Sequence, residues 1–263
     1  MNEHILYEGQ YLGQTIKSYE TDMISVKSTL HKKSESKFHS HRNAYLSILL
    51  SGLYSETTVD SQQMVAPSNF LYRPARYKHK NQFITDRTKC LNIEFSSEWF
   101  EKHDINSKKI QPKIKSIQNH PLVLRLLIDF LKHRKIDFFE ELLKQFVVAE
   151  EKETSSLRNP WLNKLVQILD NEVEKSHSLT TLSERVFVHP NYMSRVFKEN
   201  LGVTIGQYQM ERKIKSATKK LFVEKNSIAQ IASDCGFFDE SHFIRTFKAC
   251  NRITPHQFRL LLK

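Results

Sequence analysis

Over roughly the first hundred residues, apolar positions alternate with polar ones or gather into short blocks. Tyr45-Leu-Ser-Ile-Leu-Leu50, Asn69-Phe-Leu-Tyr72 and Cys90-Leu-Asn-Ile-Glu-Phe95 are such runs, separated by turn-forming pieces that include Ser51-Gly52, Asp60-Ser61 and Pro67-Ser68-Asn69. Short runs bounded in this way predict strands, and their even spacing predicts a small antiparallel barrel or sandwich. From Pro121 the period lengthens. Leu124, Leu127, Ile128 and Leu131 share one helical face, and after a break at 132–137 so do Phe139, Leu142, Leu143 and Phe146. That spacing predicts a helical hairpin. Leu122, Val123 and Phe130 add apolar surface beyond one stripe, to be covered by the strands or by a second copy in a homodimer.

A charged, Ser-containing stretch follows, and 151–159 is the expected linker between an N-terminal domain, 1–150, and a C-terminal one, 160–263. In the second domain a helix is expected from Pro160 to about Lys175, with Trp161, Leu165, Ile168 and Leu169 inward. Beyond it the chain repeats itself. Arg195-Val-Phe-Lys198 returns as Arg245-Thr-Phe-Lys248, and the continuations Val203-Thr204-x-x-Gln207-Tyr208 and Ile253-Thr254-x-x-Gln257-Phe258 match as well. Recurrence at a fixed offset marks a duplicated unit.

Each copy predicts a helix with two faces. Asn191, Ser194, Arg195 and Lys198 fall together, as do Ser241, Ile244, Arg245 and Lys248, while Met193 with Phe197 and Phe243 with Phe247 lie on the buried sides. Thr181-x-x-Glu184 and Ser227-x-x-Gln230 have the form of capping boxes for two shorter helices upstream. Pro190 suits the first turn of the first exposed helix. A support helix, a short turn and a helix with a small-polar and Arg/Lys face, present twice, point to double-stranded DNA as the partner.

Composition sharpens this picture. The 263 residues carry 40 Lys+Arg against 29 Asp+Glu, a formal charge of +11. Seventeen basic and ten acidic residues lie from Leu157 onward, a net of +7 on the shorter part of the chain. A polyanion is the natural partner of such an excess. Cys90, Cys235 and Cys250 lack CxxC spacing, so neither a zinc finger nor a disulfide framework is expected, and a reducing cytoplasm fits. No window has the length and apolarity of a membrane span, and the first ten residues do not have the form of an export signal. No Walker loop, G-x-S-x-G elbow or CxxC pair offers a catalytic route, so no catalytic residue and no cofactor is expected.

The remaining chemistry lies in His39-Ser-His41, which a strand would turn to one face, with His79 two strands later. Three imidazoles can hold Zn²⁺ or Fe²⁺ with an open position. They can equally line an effector pocket together with Tyr45, or be structural residues.

Two resemblances add to this reading. Ser178-Leu-Thr-Thr-Leu-Ser-Glu-Arg-Val, Asn191-Tyr-Met-Ser-Arg-Val-Phe-Lys198, Ile228-Ala-Gln-Ile-Ala-Ser-Asp-Cys-Gly-Phe237, His242-Phe-Ile-Arg-Thr-Phe-Lys248 and Ile253-Thr-Pro255 closely resemble the AraC/XylS transcription regulators. Phe38-His-Ser-His41, Ser51-Gly52, Tyr72-Arg73-Pro74 and His79 resemble the cupin barrel that forms the sensor half of such regulators. Metal-binding cupins place a glutamate about where Tyr45 stands here. The resemblance implies an α+β multidomain chain: a cupin-like antiparallel β-barrel with a helical hairpin, then an all-α domain of two helix-turn-helix units joined by a long helix, about Thr204 to Phe222. It implies a transcription regulator, activating or repressing, that responds to a small-molecule effector and meets RNA polymerase if it activates. Arg195 and Arg245 would contact guanines, Asn191, Ser194 and Ser241 other base edges, Glu240 a cytosine amine, Ile244 a thymine methyl, and Lys198 and Lys248 phosphates. The alternative is a metal-dependent cupin enzyme, dioxygenase-like, fused to a DNA-binding module, with metal at His39, His41 and His79.

Overall fold

The structure is a computed structural model that describes residues 4–107, 110–116, 121–133, 159–223 and 225–262. It divides into two units, Met1–Val148 with Leu261–Lys263, and Ala149–Leu260.

The alternating runs of the N-terminal unit form strands. β6 (Ala44–Ser51), β9 (Asn69–Arg73) and β11 (Thr88–Phe95) contain the three blocks noted above and are buried along most of their length. They occupy the interior of a six-stranded antiparallel sheet whose order is β12 (Lys113–Ser116), β9, β6, β11, β3 (Ile24–His31), β2 (Gln14–Glu20). A strand covered on both faces is expected to be a near-continuous apolar run, whereas the edge strand β2 is exposed throughout. A second antiparallel sheet runs β4 (Ser34–Glu35), β10 (Lys80–Phe83), β7 (Tyr54–Thr57), β8 (Gln62–Val65). Leu49, Leu71 and Cys90 from the first sheet and Tyr54, Val65 and Phe83 from the second make one buried cluster. β1 (His4–Leu6) pairs in parallel with β5 (His39–His41). The described strands are thus grouped as six, four and two, with the two larger sheets sharing a core.

Glu56 on β7 and Arg73 on β9 tie these sheets together through a buried ion pair, each side chain 1% exposed. Arg73 Nε donates to Glu56 Oε2 at 3.1 Å, Nη2 donates to Oε1, and Nη1 donates to the carbonyls of Tyr72 and Lys113. Burial of a pair is tolerable when its remaining donors are satisfied in this way. α1 (Ser97–Lys102) is capped by Ser96 and buries Trp99 and Phe100. α2 (Pro121–His133) is the first arm of the expected hairpin. Its Leu124, Leu127 and Ile128 are buried, as are Val123 and Phe130. The second arm (Phe139, Leu142, Leu143, Phe146) and the linker at 151–158 lie outside the described residues.

The C-terminal unit is helical: α3 (Pro160–Asn171), α4 (Leu179–Val186), α5 (Pro190–Leu201), α6 (Ile205–Val223), α7 (Ile228–Asp234), α8 (Glu240–Asn251) and α9 (Pro255–Leu262). α3 ends four residues before the expected Lys175. It buries Leu165, Ile168 and Leu169 but leaves Trp161 only partly covered. These residues pack with Leu182, Val186, Met193, Phe197 and Ile205 around the first α4–turn–α5 unit. The second unit is built differently, around a chain of rings. Phe237–Phe243, Phe243–Phe247, Phe247–Phe258 and Phe222–Phe258 have centroids 4.9, 5.7, 5.8 and 5.3 Å apart, at tilted or edge-on angles, as aromatic quadrupoles prefer. Among the described residues no helix is long and apolar enough to cross a membrane.

Candidate nucleic-acid interface and histidine pocket

The first exposed helix, α5, is set up by local chemistry at both ends. Its support helix α4 begins at Leu179 rather than Thr181, because Ser178 Oγ accepts from the Thr181 N–H at 3.1 Å and takes the capping role expected of Thr181. Thr181 and Glu184 therefore lie inside the helix. α4 ends on Phe187, which holds a left-handed conformation with φ 56° and is exposed. Val188 and His189 complete the turn, and Pro190 opens α5, whose end is closed by left-handed Gly202. In the second unit Ser227 caps α7 by accepting from the Gln230 N–H, and Asp239 caps α8 by accepting from the His242 N–H at 2.6 Å. The turn between α7 and α8 is longer than the first, spanning Cys235–Asp239, with the left-handed position at Gly236. Arg252 adopts φ 61° at the end of α8, where the first copy uses Gly202.

The polar faces emerge largely as expected. Asn191, Arg195 and Lys198 are exposed on α5, and Glu240, Ser241, Arg245 and Lys248 on α8. Met193, Phe197, Phe243 and Phe247 are fully buried beneath them. Ile244 is half-buried. So is Ser194, whose Oγ is shielded from solvent and has no hydrogen-bond partner among the described residues. The Arg195 guanidinium lies 5.6 Å from the Tyr192 ring centroid and 4.0 Å from Glu199 Oε1. α6, which joins the two units, has 19 residues. At about 1.5 Å per residue it spans roughly 28 Å, close to the ~34 Å turn of B-DNA.

Anchors that the sequence did not disclose fix these helices. Arg185 on α4 makes a two-pronged contact to Glu172 at 3.0 and 2.6 Å, which lowers the Glu172 carboxyl to a pKa of about 2. Arg212 and Tyr208 on α6 both reach Asp170. Lys213, also on α6, is buried, and desolvation lowers its pKa. Its ammonium donates to Ser176 Oγ at 2.9 Å and to the Gly236 carbonyl, so it fastens the turn before α8 to the segment after α3. Cys235 is buried, with its Sγ near Ser216 Oγ.

In the N-terminal unit, β5 and the segment before β10 meet through a pair of backbone hydrogen bonds. The His39 N–H donates to the His79 carbonyl at 2.9 Å and the His79 N–H donates back at 3.0 Å. His39, His41 and His79 are all buried, and one ring nitrogen from each lies within 4.8 Å of the others. Tyr45 joins them, its hydroxyl 3.1 Å from His79 Nε2. Desolvation lowers all three imidazoles, His39 to about 4 and His41 to about 2, and the neighbouring imidazoles lower those two further. The rings are therefore neutral near pH 7. A cavity of about 40 Å³ opens beside them, lined by His39, His41, Tyr45, Tyr11, His31, Ser47 and Asn92 among others. Its far wall is a hydrogen-bonded chain: Ser47 Oγ donates to Asn92 Oδ1 at 2.7 Å, Asn92 Nδ2 donates to Thr29 Oγ1 at 3.0 Å, and Thr29 Oγ1 meets His31 Nε2 at 2.9 Å. Ser47, Asn92 and Thr29 sit on three neighbouring strands, and no short-range pattern connects them.

The C-terminal unit is thus a helix-turn-helix protein domain with two exposed, Arg-bearing helices. Residues 182–260 match the family model described as a helix-turn-helix domain. The chain is 26% identical over 128 residues to the arabinose operon regulatory protein of Escherichia coli K12, covering 47% of this chain and 43% of that protein. It is 28% identical over 99 residues to the multiple antibiotic resistance protein MarA of the same strain, covering 38% of this chain and 78% of MarA. In this C-terminal part the chain is similar to these two regulatory proteins. The match spans less than half the length of the arabinose regulators of Escherichia coli and Salmonella typhimurium, 43% and 34%. Among solved structures, the C-terminal domain of AraT, a response regulator from Geobacillus stearothermophilus, is similar at 24% identity and a TM-score of 0.39, over 40% of this chain and 88% of that one. ToxT from Vibrio cholerae O395 is similar at 14% identity and a TM-score of 0.39, over 91% of this chain and 97% of that one.

Proposed function

We propose that the chain is a sequence-specific, double-stranded-DNA-binding transcription regulator, with residues 160–263 as the reader and residues 1–150 as a cupin-like sensor. The observation that carries the first part is the duplicated unit: Arg195 and Arg245 stand exposed at equivalent positions on two helices that each follow a capped support helix. The 28 Å reach of α6 supports two readers entering successive major grooves on one side of the duplex. Arg195 and Arg245 read guanines, Asn191, Ser241 and Glu240 neighbouring base edges, and Lys198 and Lys248 position the helices on phosphates. The sensor reading is supported by the partly open polar cavity lined by His39, His41 and Tyr45, with His79 hydrogen-bonded to Tyr45 beside it. Cys90, Cys235 and Cys250, which form no disulfide among the described residues, suit a cytoplasmic protein.

Selection of binding sites from random DNA tests the reading. Arg195→Ala relaxes preference in one half of the selected site and Arg245→Ala in the other, the two zones about one helical turn apart. Each loses about 1–3 kcal/mol of discrimination, roughly 5- to 150-fold. Lys198→Ala weakens all sequences alike and lowers the salt dependence of binding. Preferences left intact by both arginine substitutions would refute the assigned face.

A further inference from the structure

α6 sets the distance between the two readers, but a helix does not fix the rotation of a unit hung on one of its ends. That rotation depends on side contacts, and they converge on the segment 172–177, between α3 and α4. Mechanically the segment belongs to the first unit: Glu172 is gripped by Arg185 on α4, and Ser178, the next residue along, caps α4. It is also bound to α6, because the His177 N–H donates to Gln209 Oε1 at 3.4 Å and Gln209 Nε2 donates to the His177 carbonyl at 3.3 Å. On its other side it meets the turn Cys235–Asp239 of the second unit. Gly236 packs against the Glu174 carbonyl with no room for a Cβ. Lys213, near the middle of α6, donates to both Ser176 Oγ and the Gly236 carbonyl. Asp239, three residues beyond Gly236, caps α8, so whatever holds this turn aims the second reader.

Lys213 is only 6% exposed. Burial of an ammonium is costly unless its donors are met, and an apolar side chain would fill the same space without that cost. What an apolar side chain lacks is direction. Hydrophobic contact is non-directional and lets packed surfaces slide, whereas charge-assisted hydrogen bonds are short, strong and geometrically specific. We propose that Lys213 is a positioning residue: it latches the turn before α8 to the segment before α4, and so sets the base-pair spacing that the chain accepts between the two halves of its DNA site. The consequence for DNA rests on the regulator reading. The latch itself does not. One inserted base pair moves the second half by about 3.4 Å along the duplex and about 35° around it, a displacement that a latched joint cannot follow.

The first readout uses the full chain without DNA. Cys90 and Cys235 are buried and Cys250, on α8, is exposed, so spin labels at Cys250 and at Glu199→Cys, an exposed position on α5, report the distance between the readers by pulsed electron resonance. The distance distribution should be narrow with Lys213 present and broader in Lys213→Met. Ser176→Ala removes one acceptor at an exposed residue and should broaden it to a smaller extent, which keeps the test decisive if Lys213→Met does not fold. The second readout is affinity for the selected DNA site and for versions one base pair longer or shorter between the halves. The change of spacing should weaken wild type roughly 5- to 150-fold, the loss of one reader's discrimination, and Lys213→Met by less than about threefold. Preference within each half should be kept in Lys213→Met, and Lys213→Arg, which retains charge and donors, should restore the spacing penalty. Distributions as narrow in both latch variants as in wild type, or an equal spacing penalty in Lys213→Met and wild type, would overturn the proposal. Broadened distances in a chain that binds no specific DNA site would support the latch and refute the regulator reading, so the two fail separately.

Discussion

Gly236 sets the position of α8, and a single methyl group there has calculable consequences. The residue holds φ +69°, and a Cβ built on it would lie 1.9 Å from the Glu174 carbonyl oxygen, 2.6 Å from its carbon and 3.0 Å from its Cα. The obstacle is backbone, so no rotamer change can relieve it. The left-handed conformation costs an alanine about 1–2 kcal/mol, and separating the two segments costs about 1–3 kcal/mol as in other overpacked sites. Restriction of the unfolded chain returns about 0.4–1 kcal/mol. The expected net loss for Gly236→Ala is therefore about 2–4 kcal/mol, or a fall of the order of 10 °C in the thermal midpoint of a unit this size. Movement of this turn also breaks the Lys213 contact to the Gly236 carbonyl, so DNA preference should degrade in the half of the site read by α8 while the half read by α5 is kept. Two other glycines separate strain from clash. Gly202 has φ +74° with nothing within 4 Å, and Gly206, in α6, has open space and ordinary backbone. Gly202→Ala should cost only the backbone term, about 1–2 kcal/mol, and Gly206→Ala should stabilise by up to about 1 kcal/mol. Thermal unfolding followed by circular dichroism, with binding-site selection for each variant, gives both readouts. Equal stability of Gly236→Ala and wild type would refute the argument.

The Glu56–Arg73 pair predicts an asymmetric double-mutant cycle: Arg73→Met should cost about 3–5 kcal/mol by stranding a buried carboxylate, and Glu56→Leu added to it should recover much of the loss, as measured by chemical denaturation. Removal of the helix caps in Ser178→Ala or Asp239→Ala should each cost about 1 kcal/mol, whereas Thr181→Ala should cost less than Ser178→Ala, the reverse of what a cap at Thr181 requires. Arg185 lowers Glu172, so the stability this contact adds is present above the unfolded carboxyl pKa of about 4.3 and is lost as pH falls through about 2. The difference in thermal midpoint between wild type and Arg185→Met should accordingly shrink across that window, and a difference independent of pH would exclude the contact as its source.

Much of the C-terminal unit was legible in the sequence because its signals are local. Helical period, a cap acting on the N–H three residues ahead, Pro190 at a first turn and Gly202 at a helix end all act within one or two turns of chain, and the repeat let each copy check the other. Thr181 was misassigned because Ser178 offers the same chemistry three residues earlier, and local pattern alone cannot rank two adjacent capping candidates. Ser194 shows a related limit: period places it on the polar face, but the packing of its neighbours decides that its hydroxyl is shielded from solvent. Strand existence was equally readable from the apolar runs at Tyr45, Asn69 and Cys90. What only the tertiary structure decided is how distant segments pair. The division of strands into sheets of six and four, the Glu56–Arg73 link between them, the Ser47–Asn92–Thr29 chain and the burial of Lys213 join residues tens of positions apart, and charged residues carry no sequence mark that tells a buried partner from a solvated face. The same holds for the histidines. Spacing placed His39 and His41 on one strand, but the backbone pairing of His39 with His79 and the hydroxyl of Tyr45 on His79 exist only because two strands from different parts of the chain come to lie side by side.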